Sequence, residues 1–264
     1  MLGLGLRREM LDWDLSSLQA RFFEVVPENW VHRDRSPLLA LIEGGRPVHL
    51  HGVSMNLGGT SPISPQFLRE LRGLIDDLSG PQGVPHYSDH LAASGDAHQL
   101  YDLFPIPFTP AEVARVAGRI QQVQDGLGLR MAIENSTWYS NTGTLSEADF
   151  LAAVAERADC DILLDLNNIS VNRKNHGTHD LSEFIARIDL NRVRYMHVAG
   201  HEFDARFELY IDTHSQGVEP DTAAVARQLQ ALHGLPILLE WDNDLPDMAT
   251  LNRELACLMP STTT

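Results

Sequence analysis

Two cysteines in 264 residues, Cys160 and Cys257, are too few and too far apart for a disulfide framework or a CxxC site. Both fall in or beside apolar helical segments, which predicts buried, inert thiols. No apolar run reaches the roughly 18 residues that a membrane helix needs. The N-terminus, MLGLGLRREMLDWD, lacks the charged stretch, apolar stretch and small-residue cleavage site of a secretion signal. A cytoplasmic protein with no membrane partner is expected. Positive charge is scarce: 20 Lys and Arg stand against 36 Asp and Glu, for a net charge of −16. That balance suits a solvated acidic surface. It argues against a nucleic-acid partner, because phosphate binding needs a Lys/Arg surface. The chain also has no G-x-G-x-x-G, G-x-S-x-G or H-E-x-x-H pattern, so none of those sites is signalled.

Short apolar runs, by contrast, are plentiful, and a chain that is 43% hydrophobic can bury a sizeable core. Eight runs read as strands: 2–6, 21–26, 47–53, 87–91, 130–134, 161–166, 193–198 and 236–241. Helical patterns lie between most of them. Ser64-Pro65 and Thr109-Pro110 each give a polar cap followed by Pro, a good start signal. Ser146 with Asp149 resembles a capping pair, and Leu181–Ile188, Thr222–Leu232 and Met248–Leu258 complete the set. Eight β–α units at about 30-residue spacing predict an α/β fold, a closed TIM (β/α)8 barrel. One domain over 1–259 is expected, with a flexible tail at 260–264. An open doubly wound sheet is the alternative, but it usually shows a Gly-rich loop after its first strand. The connections 92–109 and 199–218 are long, and VNRKNHG (171–177) reads as a polar loop at the catalytic rim.

The strand endings carry the chemistry. His51, His90, Glu134, Asp165, His197 and Glu240 close the third to eighth runs in turn. Active sites of barrels lie at the carboxyl ends of the strands, and alternation aims rim side chains at the axis. A single rim His or Glu is more often a hydrogen-bonded structural group. Six in series point to a metal site, since buried unpaired carboxylates are costly and a cation offsets that cost. Asp165 and Asn168 form a D-x-x-N pair, with Asn167 an adjacent competitor, and Asp212 and His214 form a D-x-H pair. Either pair alone is weak, because Asx residues after strands are common turn formers. His201 reads as a ligand, a proton shuttle or a loop hydrogen bonder, and His49 as a packed core residue one layer deeper. Glu24, Glu28 and Asn29 end the second strand as supporting or substrate contacts, and Trp138 and Tyr139 follow Glu134 as groove or packing residues. Imidazole and carboxylate without thiolate suit Zn, Fe or Mn alike. A carboxylate such as Glu134 can bridge two metals about 3.5–4 Å apart.

The motifs HGVSMNLGG, SDHLA, AIENS, LLDLNNISVN, MHVAGH, DTHS and LLEWD together resemble the multinuclear non-heme iron-dependent oxidative enzymes. That family includes the iron subunit of methanobactin biosynthesis. The resemblance runs from Gly3 to Pro246. It implies a barrel of the xylose-isomerase-like kind, two or three irons with a mixed-valent Fe(II)/Fe(III) pair, and O2 as co-substrate. It also implies oxidation of a residue, often Cys, in a ribosomally made precursor peptide, with a separate partner protein that binds the leader. By motif, one iron would be held by His51, His90 and Glu134. A second would share Glu134 with Asp165, His197 and Glu240, and a third would take Asn168, Asp212 and His214, with His201 near it. Glu134, Asp165 and His201 would then carry catalysis. The wider superfamily contains trinuclear zinc AP endonucleases, whose sixth-strand motif is D-x-x-H. Asp165-x-x-Asn168 departs from it toward the oxidative family. A zinc phosphodiesterase, a sugar isomerase and a non-catalytic metal-binding scaffold are the other readings.

Overall fold

Each of the eight apolar runs forms a strand in the computed structural model, which describes residues 1–95 and 102–259. They are β1 (Leu2–Gly5), β2 (Phe22–Val25), β3 (Val48–Gly52), β4 (Tyr87–His90), β5 (Ala132–Glu134), β6 (Asp161–Asp165), β7 (Val193–Val198) and, last in the chain, β10 (Ile237–Leu239). All pair in parallel and close into a barrel in the order β1-β10-β7-β6-β5-β4-β3-β2. Two further strands, β8 (Glu202–Asp204) and β9 (Leu209–Ile211), form an antiparallel hairpin in the connection after β7.

The helices form an outer layer: α1 (Ser36–Glu43), α2 (Pro65–Leu78), α3 (Pro110–Leu127), α4 (Glu147–Ala158), α5 (Leu166–His176), α6 (Leu181–Ile185), α7 (Pro220–His233) and α8 (Met248–Cys257). Ser64, Thr109 and Ser146 cap α2, α3 and α4 by accepting from the backbone N–H three residues on, as their sequence signals predict. α2 buries Phe67, Leu68, Leu71, Leu74, Ile75 and Leu78, the apolar stripe at three- and four-residue spacing. Two expectations need correction. The stretch 171–177 is not a loop; it is the second half of α5, ended by Gly177 in the left-handed region (φ +64°). Cys160 is buried as predicted, but Cys257, at the end of α8, is exposed. The flexible tail expected at 260–264, and residues 96–101 of the long connection after β4, lie outside the described residues. Among the described residues no helix is long and apolar enough to cross a membrane.

Inside the barrel the strand period of two sorts residues into layers. Phe22, Ala132, Leu163, Tyr195 and Leu238 form an apolar cluster of their own, separate from the strand–helix core. Ala132, Leu163, Tyr195 and Leu238 each lie two residues before Glu134, Asp165, His197 and Glu240. A largely apolar layer thus underlies the polar rim on that part of the barrel. Gly3 makes room in that layer: it pairs with Phe22 and Leu238, and a Cβ there would fall on the Phe22 ring. Gly3→Ala is therefore expected to destabilise the fold by about 1–3 kcal/mol, the usual cost of overpacking. The shift in urea midpoint measures it, and Phe22→Leu in the same chain should restore part of the loss.

Candidate metal centre

The six strand-end residues converge on the barrel axis, as alternation requires. Glu134 is central. Its Oε2 lies 2.9 Å from His51 Nε2 and 3.2 Å from His90 Nε2, and its Oε1 lies 3.5 Å from His197 Nδ1. His197 Nδ1 is also 3.1 Å from Glu240 Oε2 and 3.9 Å from Asp165 Oδ2. Next to this group His214 reaches Glu240 Oε2 (3.5 Å) and Asp242 Oδ2 (3.2 Å) through Nδ1, and Asp212 Oδ1 (2.7 Å) through Nε2. Among the described residues, three sets of donor atoms each fall within 4.8 Å of one another: His51, Glu134 and His197; Glu134, Asp165, His197 and Glu240; and His214, Glu240 and Asp242.

Hydrogen bonds fix the rings so that one nitrogen of each faces inward. His90 Nδ1 donates to the Gly52 carbonyl (3.2 Å), and His51 Nδ1 pairs with Ser88 Oγ (2.9 Å). His197 Nε2 donates to buried Glu24 (3.1 Å), which also accepts from the Tyr195 hydroxyl. Such outer partners set the tautomer and raise the basicity of a ligating imidazole. Asp165 caps α5, accepting from Asn168 N–H through Oδ1 (2.6 Å), while Asn135 clamps its backbone from both sides.

The arrangement fits a cation. Glu134 Oε2, Asp165 Oδ2, Asn168 Oδ1, His197 Nδ1 and His214 Nε2 are buried and make no properly directed hydrogen bond. Orphaned buried donors and acceptors are rare and need a reason. Burial, with Glu134 and Asp212 as like-charged neighbours, pushes the Asp165 carboxyl well above its usual range. Burial lowers the His197 imidazole, but the carboxylates of Glu24 and Glu240 outweigh it and hold the ring well above its ordinary value. Carboxylates that repel one another around orphaned lone pairs are what a divalent ion relieves. All donors are nitrogen or oxygen, which suits iron, zinc or manganese.

The other expected residues sit as follows. Asp212 and His214 come together, and His214 adopts the left-handed region (φ +48°), a costly placement for a residue with a Cβ. Asn168 Nδ2 donates to the Asn135 carbonyl (2.9 Å), which leaves Oδ1 free. Asn167 is not a competitor for that place: its amide donates to Asp212 Oδ1 (2.6 Å) and its Oδ1 pairs with His201 Nδ1 (2.7 Å). His201 Nε2 pairs with Lys174 Nζ (2.7 Å), so both its ring nitrogens are engaged outside the converging set. His49 packs against His86, Tyr195 and Phe22 but is half-buried rather than a core residue, and its desolvation, with His86 beside it, lowers its pKa to about 3. Glu28 accepts from the Val53 and Ser54 amides and braces the loop after β3. Asp242 and Arg7 were not foreseen. Asp242 stands two residues after Glu240 in LLEWD, and that i, i+2 spacing was the available signal. Arg7 Nε donates to Asp242 Oδ1 (2.7 Å), and its Nη2 lies 3.5 Å from Glu240 Oε1.

Trp138, four residues past Glu134, stacks on His176 at 3.9 Å between ring centroids. Its indole N–H donates to buried Glu147 (3.1 Å), beside an open groove of about 430 Å³. Burial pushes the Glu147 carboxyl up to about 7.

Two outcomes follow from this geometry. Glu24→Ala removes the acceptor behind His197 and should weaken metal binding about 10–100-fold in chelator competition, while Tyr87→Phe, remote from His197, leaves it unchanged. Glu147 holds its proton more tightly folded than unfolded, so its contribution is full below the ordinary carboxylate range and is lost as pH rises through about 7. Glu147→Gln should therefore gain on the parent chain between pH 5 and 8, by up to about 3 kcal/mol in urea unfolding.

Curated relatives described as UPF0276 proteins are 38% identical over 262 residues in Shewanella amazonensis, covering 97% of this chain and 92% of the relative. In Acinetobacter baylyi the figure is 40% over 260 residues, covering 97% and 88%. Among solved structures, D-psicose 3-epimerase from Clostridium cellulolyticum H10 superposes with a TM-score of 0.64 at 12% identity, covering 97% of this chain and 96% of that one. The 3-keto-D-glucoside 4-epimerase YcjR of E. coli gives 0.64 at 13%, covering 97% and 98%. At that identity the epimerases share the fold alone. The family model for the RiPP precursor modification enzymes MbnB/TglH/ChrH matches residues 1–260, and this chain belongs to that family.

Proposed function

We propose that this chain is a multinuclear iron-dependent oxidative enzyme that uses O2 to modify a residue, Cys, of a ribosomally made precursor peptide. A separate protein would bind the leader of that peptide. The observation that carries the reading is Glu134, whose two oxygens face imidazoles on opposite sides, His51 and His90 on one and His197 on the other. That is the placement of a carboxylate shared between two cations. His51, His90 and Glu134 would hold one iron, and Glu134, Asp165, His197 and Glu240 a second. Asp212, His214 and Asn168 would hold a third, and the proximity of Asp242 to His214 adds it to that set. Iron, when bound, supplies activation of O2 and an anchor for a substrate thiolate.

The chain's own groups supply the rest. Glu24, Ser88 and the Gly52 carbonyl keep the rings turned inward. His201, pinned between Asn167 and Lys174, would hold or move a proton at Nε2 on the rim. An apolar cluster packs beneath these groups. Family membership supports a precursor peptide as substrate.

The test is co-expression with a Cys-bearing peptide and leader-binding protein encoded nearby, followed by mass spectrometry. An O2-dependent mass change is expected from the iron-loaded chain, with a thiolate-to-iron absorption band when peptide is added. His51→Ala and Glu134→Ala should each abolish the change, and full retention in both would refute the site. Peptide binding with no mass change would instead favour a scaffold, and nicking of abasic DNA by the zinc-loaded chain a phosphodiesterase.

A further inference from the structure

A cavity of about 160 Å³ opens between the segments that follow β1 and β2, on the same barrel face as the strand-end cluster. Its wall contains Arg7, Arg8 and Arg33, together with Asn29 and Trp30, and no carboxylate. In a chain with 36 acidic and 20 basic residues, three arginines around one small space are a local reversal of charge. Arg7 is committed to Asp242 and Glu240. Among the described residues, the guanidinium groups of Arg8 and Arg33 have neither a hydrogen bond nor an ion pair, whereas Arg35 pairs with Asp77 and Arg192 with Asp159. Two free guanidinium forks and a side-chain amide beside a flat indole wall match a planar anion, which a guanidinium binds bidentately.

We propose that this cavity is a subsite for a carboxylate of the peptide substrate, and that docking there sets which residue of the peptide lies over the cluster. The proposal rests on the peptide reading given above. Its place supports it: Arg7 touches both the cavity and two of the carboxylates beside His214, Asp242 and Glu240, so a bound anion sits one guanidinium away from the candidate metal centre. The carboxylate can be the end of a peptide main chain or an acidic side chain.

The test uses the full chain loaded with zinc, which is diamagnetic, and labelled at its indole nitrogens. Four tryptophans give four indole signals, and Trp30→Phe identifies the one at the cavity. Three probes are titrated: N-acetylalanine, N-acetylaspartic acid α-amide and N-acetylalaninamide. The Trp30 signal should move saturably with one or both acids and not with the uncharged amide. Movement with N-acetylalanine alone assigns a peptide C-terminus; movement with the aspartate probe assigns an acidic residue. Arg8→Gln with Arg33→Gln should weaken the binding at least about tenfold. Both side chains are exposed and unpaired, so the fold should survive, checked by the other three indole signals. Equal binding by the double variant, an equal response to the uncharged amide, or a still Trp30 signal throughout would overturn the subsite. The readout needs no iron, O2 or turnover. A chain that binds these acids but modifies no peptide keeps the subsite and loses the oxidative reading. A double variant that modifies its peptide at unchanged KM does the reverse.

Discussion

Four carboxylates buried around one imidazole set the problem that the rest of this barrel face answers. Glu24, Glu134, Asp165 and Glu240 crowd His197, and all five residues are nearly inaccessible to water. The His197 imidazole, which Glu24 and Glu240 hold well above its ordinary range, and the edge of Arg7 offset part of that charge. The remainder must be met by protons or by cations, because an unpaired buried carboxylate costs several kcal/mol. Protonation is the weaker answer for Glu134, since His51, His90 and His197 surround it and hold its carboxyl well below the usual range against the cost of burial. Cations satisfy the carboxylates and the orphaned nitrogens together.

The period of the β-strand delivers these groups, and for that reason much of the site was legible. On β5, β6, β7 and β10 the inward residue at the strand end has an apolar residue two places before it, also pointing inward. The sequence shows this as A-I-E, L-L-D, Y-M-H and L-L-E, with the charged residue last. Four of the six ligand candidates carry that pattern; His51 and His90 end H-L-H and S-D-H, and their place at the end of a short strand run was the signal. The helix caps were legible for a similar reason, since a capping side chain and its target N–H are three residues apart in the chain.

What stayed hidden lacks such a local code. α5 has the sequence LNNISVNRKNH, poor in apolar residues and rich in Asn, a weak helix former. It is helical because Asp165 caps it and because its first seven residues, polar ones included, are buried against the barrel. Asn172 bonds Glu147 and the Ser136 carbonyl, and Asn167 bonds Asp212 and His201. Those partners are distant in sequence, so no window around α5 reveals them. The β8–β9 hairpin has strands of three residues, and the turn between them is held partly by Glu208 in the left-handed region, without the Asn-Gly or Asp-Gly signal of a tight hairpin. Arg7 and Asp242 meet only when the barrel closes, 235 residues apart.

The two halves of the centre are not equivalent, and this bears on its chemistry. On one side stand His51 and His90, whose outer nitrogens face neutral partners, a hydroxyl and a carbonyl. Among the described residues, the only carboxylate within 4 Å of their ring nitrogens is that of Glu134. On the other side stand Asp165, Glu240 and His197, and the outer nitrogen of His197 faces a fourth carboxylate, Glu24. An imidazole backed by a carboxylate is a stronger donor than one backed by a neutral group. Two ions sharing Glu134 would therefore experience unequal fields, and the more highly charged ion is favoured beside Asp165 and Glu240. A mixed-valent pair of the kind the family resemblance implies would call for such an inequality. Here it arises from strand-end side chains and their hydrogen-bond partners, before any substrate takes part.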